Sequence, residues 1–494
     1  MNSELDISLK TKTVHGVLWV GLYYITNLLI SLIINLILAR LLLPEDFGMV
    51  AMAMILINSL LLFQGLGINA ALIRWKDVNT RVTSTAFYLI LGVSLSLAVV
   101  GYFITPSIAV FFDNATLMPV IKVLILTIII GATGVVPATL LDKHLEFRKQ
   151  IWLSLVPTLV FGFTATLLAW LGAGVWSIVW AKLIQTILSA ILVWFVSSWR
   201  PTWEFDFSAA QQLFVYGKDI TFTSVLIFIF LTIDNTIVGK LLGEHTLGLY
   251  TTAFIWGNLS ATSIGAIFGR VLFPAFAVLQ YDLPRIRKLF LKVLRFISIF
   301  TLPIAVGLAV IAEDMVSSLY KPEWIDMVPL IQVLAVYGML RSLGTILGPL
   351  FMACGRQVMM LKIAAFQVFL AVILIYPVTM QFGAIGTSIL LTSIMLLTMI
   401  IYLIVATAVL KIPRVEYFNF SYPQIVATTI MAILIIILRH QLSGSFITVV
   451  IISLVGAGIY ATALFLIGKN HLIDEFHEIY QSLLANKTAP STQN

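Results

Sequence analysis

Long apolar runs constrain this chain more than any other feature of its sequence. Segments of about 20 residues, the length that an α-helix needs to cross the hydrocarbon core of a bilayer, recur along all 494 residues. Only 10% of the residues are charged, against roughly 25% in an average soluble protein. The runs are apolar on every face, whereas the strands of a membrane β-barrel alternate. The sequence therefore predicts an all-α polytopic membrane protein.

Polar breaks divide the apolar runs into about fourteen predicted transmembrane helices. This number fits the length of the chain, because every connecting segment is short. We number them in chain order. They are expected near 14–38, 48–73, 83–105, 117–140, 152–171, 174–197, 213–240, 247–279, 290–312, 327–353, 358–380, 383–410, 423–438 and 446–467.

The basic residues predict how these helices are oriented. With the N-terminus in the cytoplasm, 21 of the 29 lysines and arginines lie on the cytoplasmic side, four on the outer side and four inside spans. This is the positive-inside bias of membrane proteins, so both termini are expected in the cytoplasm. Topology and anionic lipid headgroups account for the net charge of +7, and no nucleic-acid partner is expected.

An internal repeat predicts the domain organisation. Residues 35–65 and 235–265 are identical at nine of 31 aligned positions, where chance pairing of such segments gives roughly three. A second match aligns residues 118–124 with 328–334. Six helices repeated in one orientation predict two lobes around a pseudo-twofold axis along the membrane normal. We expect an N-lobe over 1–205, a C-lobe over 206–412, two further helices over 413–470 and a cytoplasmic tail over 471–494.

Polar side chains in two of the predicted helices indicate a hydrated cavity. On helix 1 they fall on one face at 100° per residue, and the same holds for helix 7. Interhelical hydrogen bonding is the alternative explanation. The candidate cavity residues are Tyr24, Asn27, Ser31 and Asn35 in helix 1, and Ser224 and Asn235 in helix 7.

Five charged residues fall inside the predicted spans. Arg341 lies near mid-depth and is the first candidate for binding an anion. Arg270, Lys182 and Lys122 are further candidates, with snorkelling to the headgroups as the alternative. Asp234 is the only acidic residue there. It is a candidate for binding a coupling proton or cation, or else it pairs with a base or reaches water. Four bases and one acid favour an anionic substrate over a cationic drug.

The sequence carries no pattern of known catalytic or metal chemistry. There is no G-x-x-x-x-G-K-[ST] loop, no H-E-x-x-H motif and no Cys/His cluster. The one cysteine, Cys354, permits no intrachain disulfide. We therefore expect no catalytic residues, no metal site and no cofactor.

Four short segments carry a resemblance to a known family. They are Leu41–Gly48 (LLLPEDFG), Gly65–Ile68 (GLGI), Asp234–Gly243 (DNTIVGKLLG) and Leu247–Tyr250 (LGLY). Together they resemble the polysaccharide transporter family of the multidrug/oligosaccharidyl-lipid/polysaccharide superfamily, in particular its colanic-acid and teichuronic-acid type exporters. The resemblance extends over about residues 10–410 and weakens in the last two helices.

The resemblance implies a flippase of the bacterial cytoplasmic membrane. Its substrate would be an undecaprenyl-pyrophosphate-linked oligosaccharide, moved to the outer leaflet by alternating access coupled to an ion gradient or the membrane potential. Its partners would be membrane lipids and the glycan polymerase and glycosyltransferases of the same pathway. Three alternatives remain open. A multidrug/cation antiporter would need several buried acids, and a membrane glycan polymerase or ligase would usually carry a large outer loop. An assembly subunit without transport of its own would not need the paired polar stripes.

Overall fold

The computed structural model describes residues 26–65, 67–75, 79–143, 146–261, 272–439, 441 and 445–488. Within these ranges the chain is almost entirely helical and has no β-strand. The helices are α1 (Thr26–Leu41), α2 (Pro44–Gln64), α3 (Ile68–Arg74), α4 (Thr80–Phe111), α5 (Leu117–Lys143), α6 (Phe147–Trp170), α7 (Val175–Val196), α8 (Phe207–Gly257), α9 (Leu272–Val278), α10 (Leu283–Leu319), α11 (Val328–Gly344), α12 (Leu347–Ala353), α13 (Gln357–Leu410), α14 (Arg414–Arg439) and α15 (Phe446–Thr488), with a 3₁₀ helix at Pro322–Met327.

Ten segments of the described chain are long and apolar enough to cross a membrane. This confirms the all-α multi-pass membrane class. The number of fourteen stays a prediction, because α1 adjoins undescribed residues and α13 covers two of the predicted spans. The ten are Pro44–Ile73, Thr80–Phe111, Leu117–Lys143, Lys149–Trp170, Val175–Val196, Leu283–Leu319, Pro322–Ala353, Gln357–Leu410, Ser421–Arg439 and Phe446–Gly468.

Two of the longest helices fold back on themselves at glycines. Gly243 in α8 and Gly383 in α13 have φ angles of 80° and 64°, in the left-handed region that favours glycine. Across Gly383 the hydroxyls of Thr379 and Thr387 lie 2.7 Å apart, although eight residues of a straight helix would span about 12 Å. These turns fall at the polar breaks that the sequence predicts after residues 240 and 380.

Two of the predicted spans are interrupted in the structure. The span near 48–73 ends as α2 at Gln64, and α3 begins only at Ile68, because Gly67 has a φ of 67°. The span near 327–353 is divided between α11 and α12 at Thr345. In contrast, α15 runs on to Thr488, through most of the segment that the sequence predicts as a tail.

The chain forms two compact units, which we describe separately. Among the described residues, unit 1 comprises those up to Trp256 together with Leu319–Leu334 and Leu361–Met395, and unit 2 comprises the remainder. One core cluster of unit 1 packs α3, α4 and α5 around Leu72 and Ile90, and another packs α1 against α6 and α7 around Leu38. The main core cluster of unit 2 surrounds Phe290 and Phe351. The lobe boundaries near residues 205 and 412 stay predictions.

Candidate functional site

The polar stripe of α1 lines a cavity within unit 1. Asn27, Ser31 and Asn35 are spaced four residues apart, so they lie on one face of the helix. The cavity has a volume of about 470 Å³ and is bounded by α1, α2, α5, α6 and α7. Its lining residues are Asn27, Ser31, Ile34, Asn35, Leu38, Phe47, Val50, Met54, Leu124, Thr158, Phe161, Ile178, Val179, Lys182 and Gln185.

Lys182 supplies the positive charge of this cavity. It is the eighth residue of α7, which places it about 10 Å along the helix axis, inside a segment long enough to span the membrane. Its Nζ donates a hydrogen bond to Gln185 Oε1 at 3.0 Å. An ammonium carries three donor hydrogens, so further donors remain for an anionic or hydroxyl-bearing ligand. The amide of Gln185 orients the lysine without neutralising its charge.

The side-chain oxygens of the two asparagines on the stripe lack hydrogen-bond donors among the described residues. Asn27 Oδ1 and Asn35 Oδ1 are buried, and no described residue donates a hydrogen bond to either oxygen. A buried polar atom without a partner costs about 1–3 kcal/mol. Thr158, across the cavity on α6, donates its hydroxyl back to Ser154 O at 2.9 Å and keeps its lone pairs for an acceptor role. Among the described residues, no packing contact supplies a donor for either asparagine oxygen.

The structure brings together four of the predicted candidates in this cavity: Asn27, Ser31, Asn35 and Lys182. Lys122 lies elsewhere. It is exposed, and its Nζ is 4.8 Å from the centre of the Tyr102 ring on α4, an arrangement typical of a cation–π contact at the protein surface. Tyr24 and Arg270 lie outside the described residues.

The remaining candidates lie on α8 and α11. Ser224 and Asn235 are half-buried on α8 and do not line the cavity. In unit 2, Arg341 on α11 donates a hydrogen bond from Nη1 to Asn258 Oδ1 at 3.3 Å, and Asn258 is buried. The anion-binding role of Arg341 stays a prediction.

Asp234 is buried at the hairpin of α8. Tyr250, on the returning half of the hairpin, donates its hydroxyl to Asp234 Oδ2 at 2.9 Å, and both residues are buried. The nearby Lys240 instead pairs with Asp113, with Nζ 2.6 Å from Oδ2. Asp234 thus has a defined place in the packing of the hairpin, and its coupling role stays a prediction.

Two polar residues of the cavity, Gln185 and Thr158, are not among the residues that the sequence predicts. Gln185 lies three residues after Lys182, which puts the two on the same helix face, and this spacing could have found it. Thr158 gives no such signal, because single threonines are common in membrane helices as intrahelical hydrogen-bond donors. Among the described residues, no group of three His, Cys, Asp or Glu side chains could hold a metal ion.

Known proteins resemble this chain in sequence and in fold. The family described as "Polysaccharide biosynthesis protein" matches residues 37–329 of the chain. The lipopolysaccharide biosynthesis protein WzxC of Escherichia coli (strain K12) is 26% identical over 77% of this chain and 78% of its own. The teichuronic acid biosynthesis protein TuaB of Bacillus subtilis (strain 168) is 27% identical over 66% of this chain and 67% of its own.

Two solved structures show the same fold at low sequence identity. The lipid II flippase MurJ superposes with a TM-score of 0.74 and 14% identity, over 92% of this chain and 99% of its own. An inward-facing multidrug resistance transporter of the MATE family superposes with a TM-score of 0.60 and 15% identity, over 79% of this chain and 99% of its own. The chain belongs to the polysaccharide biosynthesis protein family.

Proposed function

We propose that this protein is a flippase of the bacterial cytoplasmic membrane. It translocates an undecaprenyl-pyrophosphate-linked oligosaccharide from the inner to the outer leaflet by alternating access. The observation that carries the proposal is the cavity of unit 1, where one ammonium, three carboxamides and two hydroxyls meet among membrane-crossing helices. Polar groups in such helices are costly and typically mark a substrate path.

The chemistry of the cavity fits the headgroup of a lipid-linked saccharide. Carboxamides and hydroxyls both donate and accept hydrogen bonds, as sugar hydroxyls require. Lys182 adds a charge-assisted donor for an anionic group, either the pyrophosphate or an acidic sugar. The amide oxygens of Asn27 and Asn35 have no donor among the described residues, and they gain partners when hydroxyls enter and the side chains turn towards them.

The rest of the substrate path is proposed from the sequence. Arg341 and Arg270 are further candidates for the pyrophosphate, and the polyprenyl tail stays in the lipid. Asp234 is the candidate for coupling to a proton or cation gradient, and the membrane potential is the other source of energy. Glycosyltransferases that build the lipid-linked saccharide act before this protein, and a polymerase acts after it. Both termini are placed in the cytoplasm.

The direct test is translocation by purified protein in liposomes. A fluorescently labelled polyprenyl-pyrophosphate oligosaccharide is incorporated, and the fraction of label that a membrane-impermeant quencher reaches is followed with time. We expect the protein to make the protected label accessible, whereas protein-free liposomes keep it protected. An equal time course in both would overturn the proposal. Uptake of ethidium by the same liposomes, without movement of the lipid, would favour the antiporter alternative.

A further inference from the structure

A second recess of unit 1 lies between α1 and α6 and faces the lipid. It has a volume of about 460 Å³. Among the described residues that line it, Thr166 alone is polar. The exposed side chains of its lining are Ile37, Leu159, Phe163, Leu167 and Trp170. Because α6 belongs to a segment long enough to cross a membrane, these side chains meet the hydrocarbon of the bilayer. We call this recess the α1–α6 cleft.

The side chain of Ile34 separates the cleft from the polar cavity, and it lines both recesses. On α6, Thr158 and Phe161 line the cavity. Their neighbours Leu159 and Gly162 line the cleft. A Cβ atom added to Gly162 would lie 2.5 Å from Ile34 Cδ1, so the two helices approach closely at this point. A polar recess and an apolar recess thus share one isoleucine as their wall.

The cleft extends from the membrane interface towards the middle of the bilayer. Leu159 and Trp170 lie at its two ends on α6, and this part of the helix is about 16 Å long. The hydrocarbon core of a bilayer is about 30 Å thick. Trp170 is exposed at the end of α6, and an indole is typical of the interface. The cleft therefore has the length and the direction of a hydrocarbon chain in one leaflet.

The two adjoining recesses match a ligand that has a polar part and an apolar part. A phospholipid would fill only the cleft, because its charged headgroup stays at the interface. In a lipid-linked saccharide, the sugars and the anionic group suit the cavity, and the hydrocarbon chain suits the cleft. The shared wall at Ile34 places these two environments side by side inside the membrane. This juxtaposition favours the lipid-linked saccharide as the occupant.

Packing, and not the hydrophobic effect, determines how strongly the cleft holds a chain. A lipid tail is as apolar as a leucine side chain, so moving it from the bilayer into the cleft gives no hydrophobic gain. Each contact between nonpolar atoms contributes only about 0.1–0.2 kcal/mol. The rings of Phe163 and Trp170 and the side chain of Leu167 offer many such contacts. The cleft therefore orients the chain and adds a modest affinity.

We propose that the α1–α6 cleft binds the first isoprenoid units of the polyprenyl tail while the saccharide occupies the polar cavity. The tail stays at the lipid-facing surface of unit 1 and leaves the cavity beside Ile34. This assignment rests on the proposed flippase function and adds to it a binding site for the tail.

The first test identifies the lipid in the cleft by photo-crosslinking. The photoreactive residue p-benzoylphenylalanine replaces Phe163, and the protein is placed in liposomes of phosphatidylethanolamine and phosphatidylglycerol with a polyprenyl-pyrophosphate oligosaccharide. The same residue at Phe103 of α4 is the control. Phe163 and Phe103 are 72% and 75% exposed, and each lies about 10–12 Å from the C-terminal end of its helix, but Phe103 does not line the cleft.

Mass spectrometry gives the ratio of polyprenyl adducts to phospholipid adducts at each position. We expect this ratio to be at least about fivefold higher at position 163 than at position 103. Equal ratios would show that the cleft is filled by bulk phospholipid and would overturn the proposal.

The second test fills the cleft with a larger side chain. Thr166→Phe should lower the affinity for the polyprenyl-pyrophosphate oligosaccharide about threefold, a loss of a few packing contacts. The same oligosaccharide pyrophosphate without a tail should bind like wild type, because the cavity is unchanged. Thr429→Phe, at an exposed position of α14, is the control and should alter neither affinity. An equal change for both ligands in Thr166→Phe, including no change, would contradict the assignment of the tail.

The outcomes separate the tail site from the flippase. If wild-type protein neither binds nor moves the lipid-linked saccharide, the proposed function fails. If wild-type protein moves it while the adducts at position 163 match those at position 103, the flippase stands and the tail site is overturned.

Discussion

The two units each contain a large recess, and the recesses differ in how their polar atoms are used. The cavity of unit 1 combines Lys182 with carboxamides and hydroxyls in about 470 Å³. The groove of unit 2 is larger, about 780 Å³, and is lined by α10, α14 and α15 with apolar side chains almost throughout. Its lining includes Phe296, Ile299, Phe300, Pro303, Ile304, Gly307, Leu308, Ile311, Met431, Ile435, Ser453, Tyr460, Leu464 and Phe465.

The polar groups of the groove are hydrogen-bonded within the protein, whereas those of the cavity include oxygens without a donor among the described residues. In the groove, Tyr460 donates its hydroxyl to Ile299 O at 2.8 Å, and Ser453 donates to Val449 O at 2.7 Å. Both are satisfied by the protein itself. In the cavity, the oxygens of Asn27 and Asn35 have no donor among the described residues. Polar atoms that cost stability without serving the packing are typical of a recognition site.

The largest effect is expected from removing the charge of the cavity. Lys182→Leu should lower polysaccharide export in cells at least about tenfold, because a hydrogen bond to a charged group contributes about 1.5–3 kcal/mol. Surface polysaccharide is measured at matched protein level. Lys122→Leu is the control, since this exposed lysine lies outside the cavity, and it should export normally. An equal loss of export in both variants would show that the cavity lysine is no more important for export than the exposed lysine.

The second-largest effect is expected for Asn35→Leu, which should lower export without lowering the free energy of unfolding. Asn35→Leu is expected to lower export about fivefold, equivalent to one lost hydrogen bond of about 1 kcal/mol. The free energy of unfolding should stay the same or rise, because an unpaired buried oxygen disappears. Export and detergent unfolding are measured together, with Gln212→Leu as the exposed amide control. A fall in stability with normal export would show that Asn35 serves the fold.

A substitution in the groove of unit 2 should lower stability and leave export unchanged. Tyr460→Phe removes a hydrogen bond between α15 and α10 and should lower the free energy of unfolding by about 0.6 kcal/mol, the average for such bonds in membranes, and by at most about 1.7 kcal/mol. Export per folded molecule should not change. Tyr376→Phe, at an exposed position on α13, is the control for unfolding. Lost export at unchanged stability would contradict the structural role of Tyr460.

The smallest effects compare one serine in each recess. Ser453→Ala deletes a hydroxyl that only bonds its own helix and should change neither export nor stability. Ser31→Ala deletes a hydroxyl on the α1 stripe that is accessible from the cavity and should lower export about twofold, a fraction of one hydrogen bond. The ratio of the two export rates is the measurement. A ratio of one would mean that Ser31 does not meet the substrate.

The helices could largely be predicted from apolar length. The spans near 117–140 and 174–197 correspond to α5 and α7, and the break before residue 383 corresponds to the turn at Gly383. Both results follow from local rules, namely the length of a bilayer-crossing helix and the freedom of glycine at positive φ. The interruption at Gly67 was not predicted, because the apolar pattern continues through it.

The candidate site could be predicted only in part. Helical periodicity places Asn27, Ser31 and Asn35 on one face, and the scarcity of charge leaves Lys182 as one of five charged candidates, among which Arg341 ranked first. Periodicity does not say which helix lies opposite. That choice is set by packing, where Gly162 of α6 lets Ile34 approach so closely that an added Cβ would lie 2.5 Å from its Cδ1. The proximity of α1, α6 and α7, and with it the role of Thr158, emerges only from the folded chain.

If the cavity of unit 1 binds the headgroup, the affinity for a lipid-linked saccharide depends on Lys182. Native mass spectrometry of the purified protein with a polyprenyl-pyrophosphate oligosaccharide measures the bound fraction for wild type, Lys182→Leu and Lys122→Leu. We expect Lys182→Leu to weaken binding at least about tenfold, while Lys122→Leu binds like wild type. Equal binding by all three proteins would contradict it.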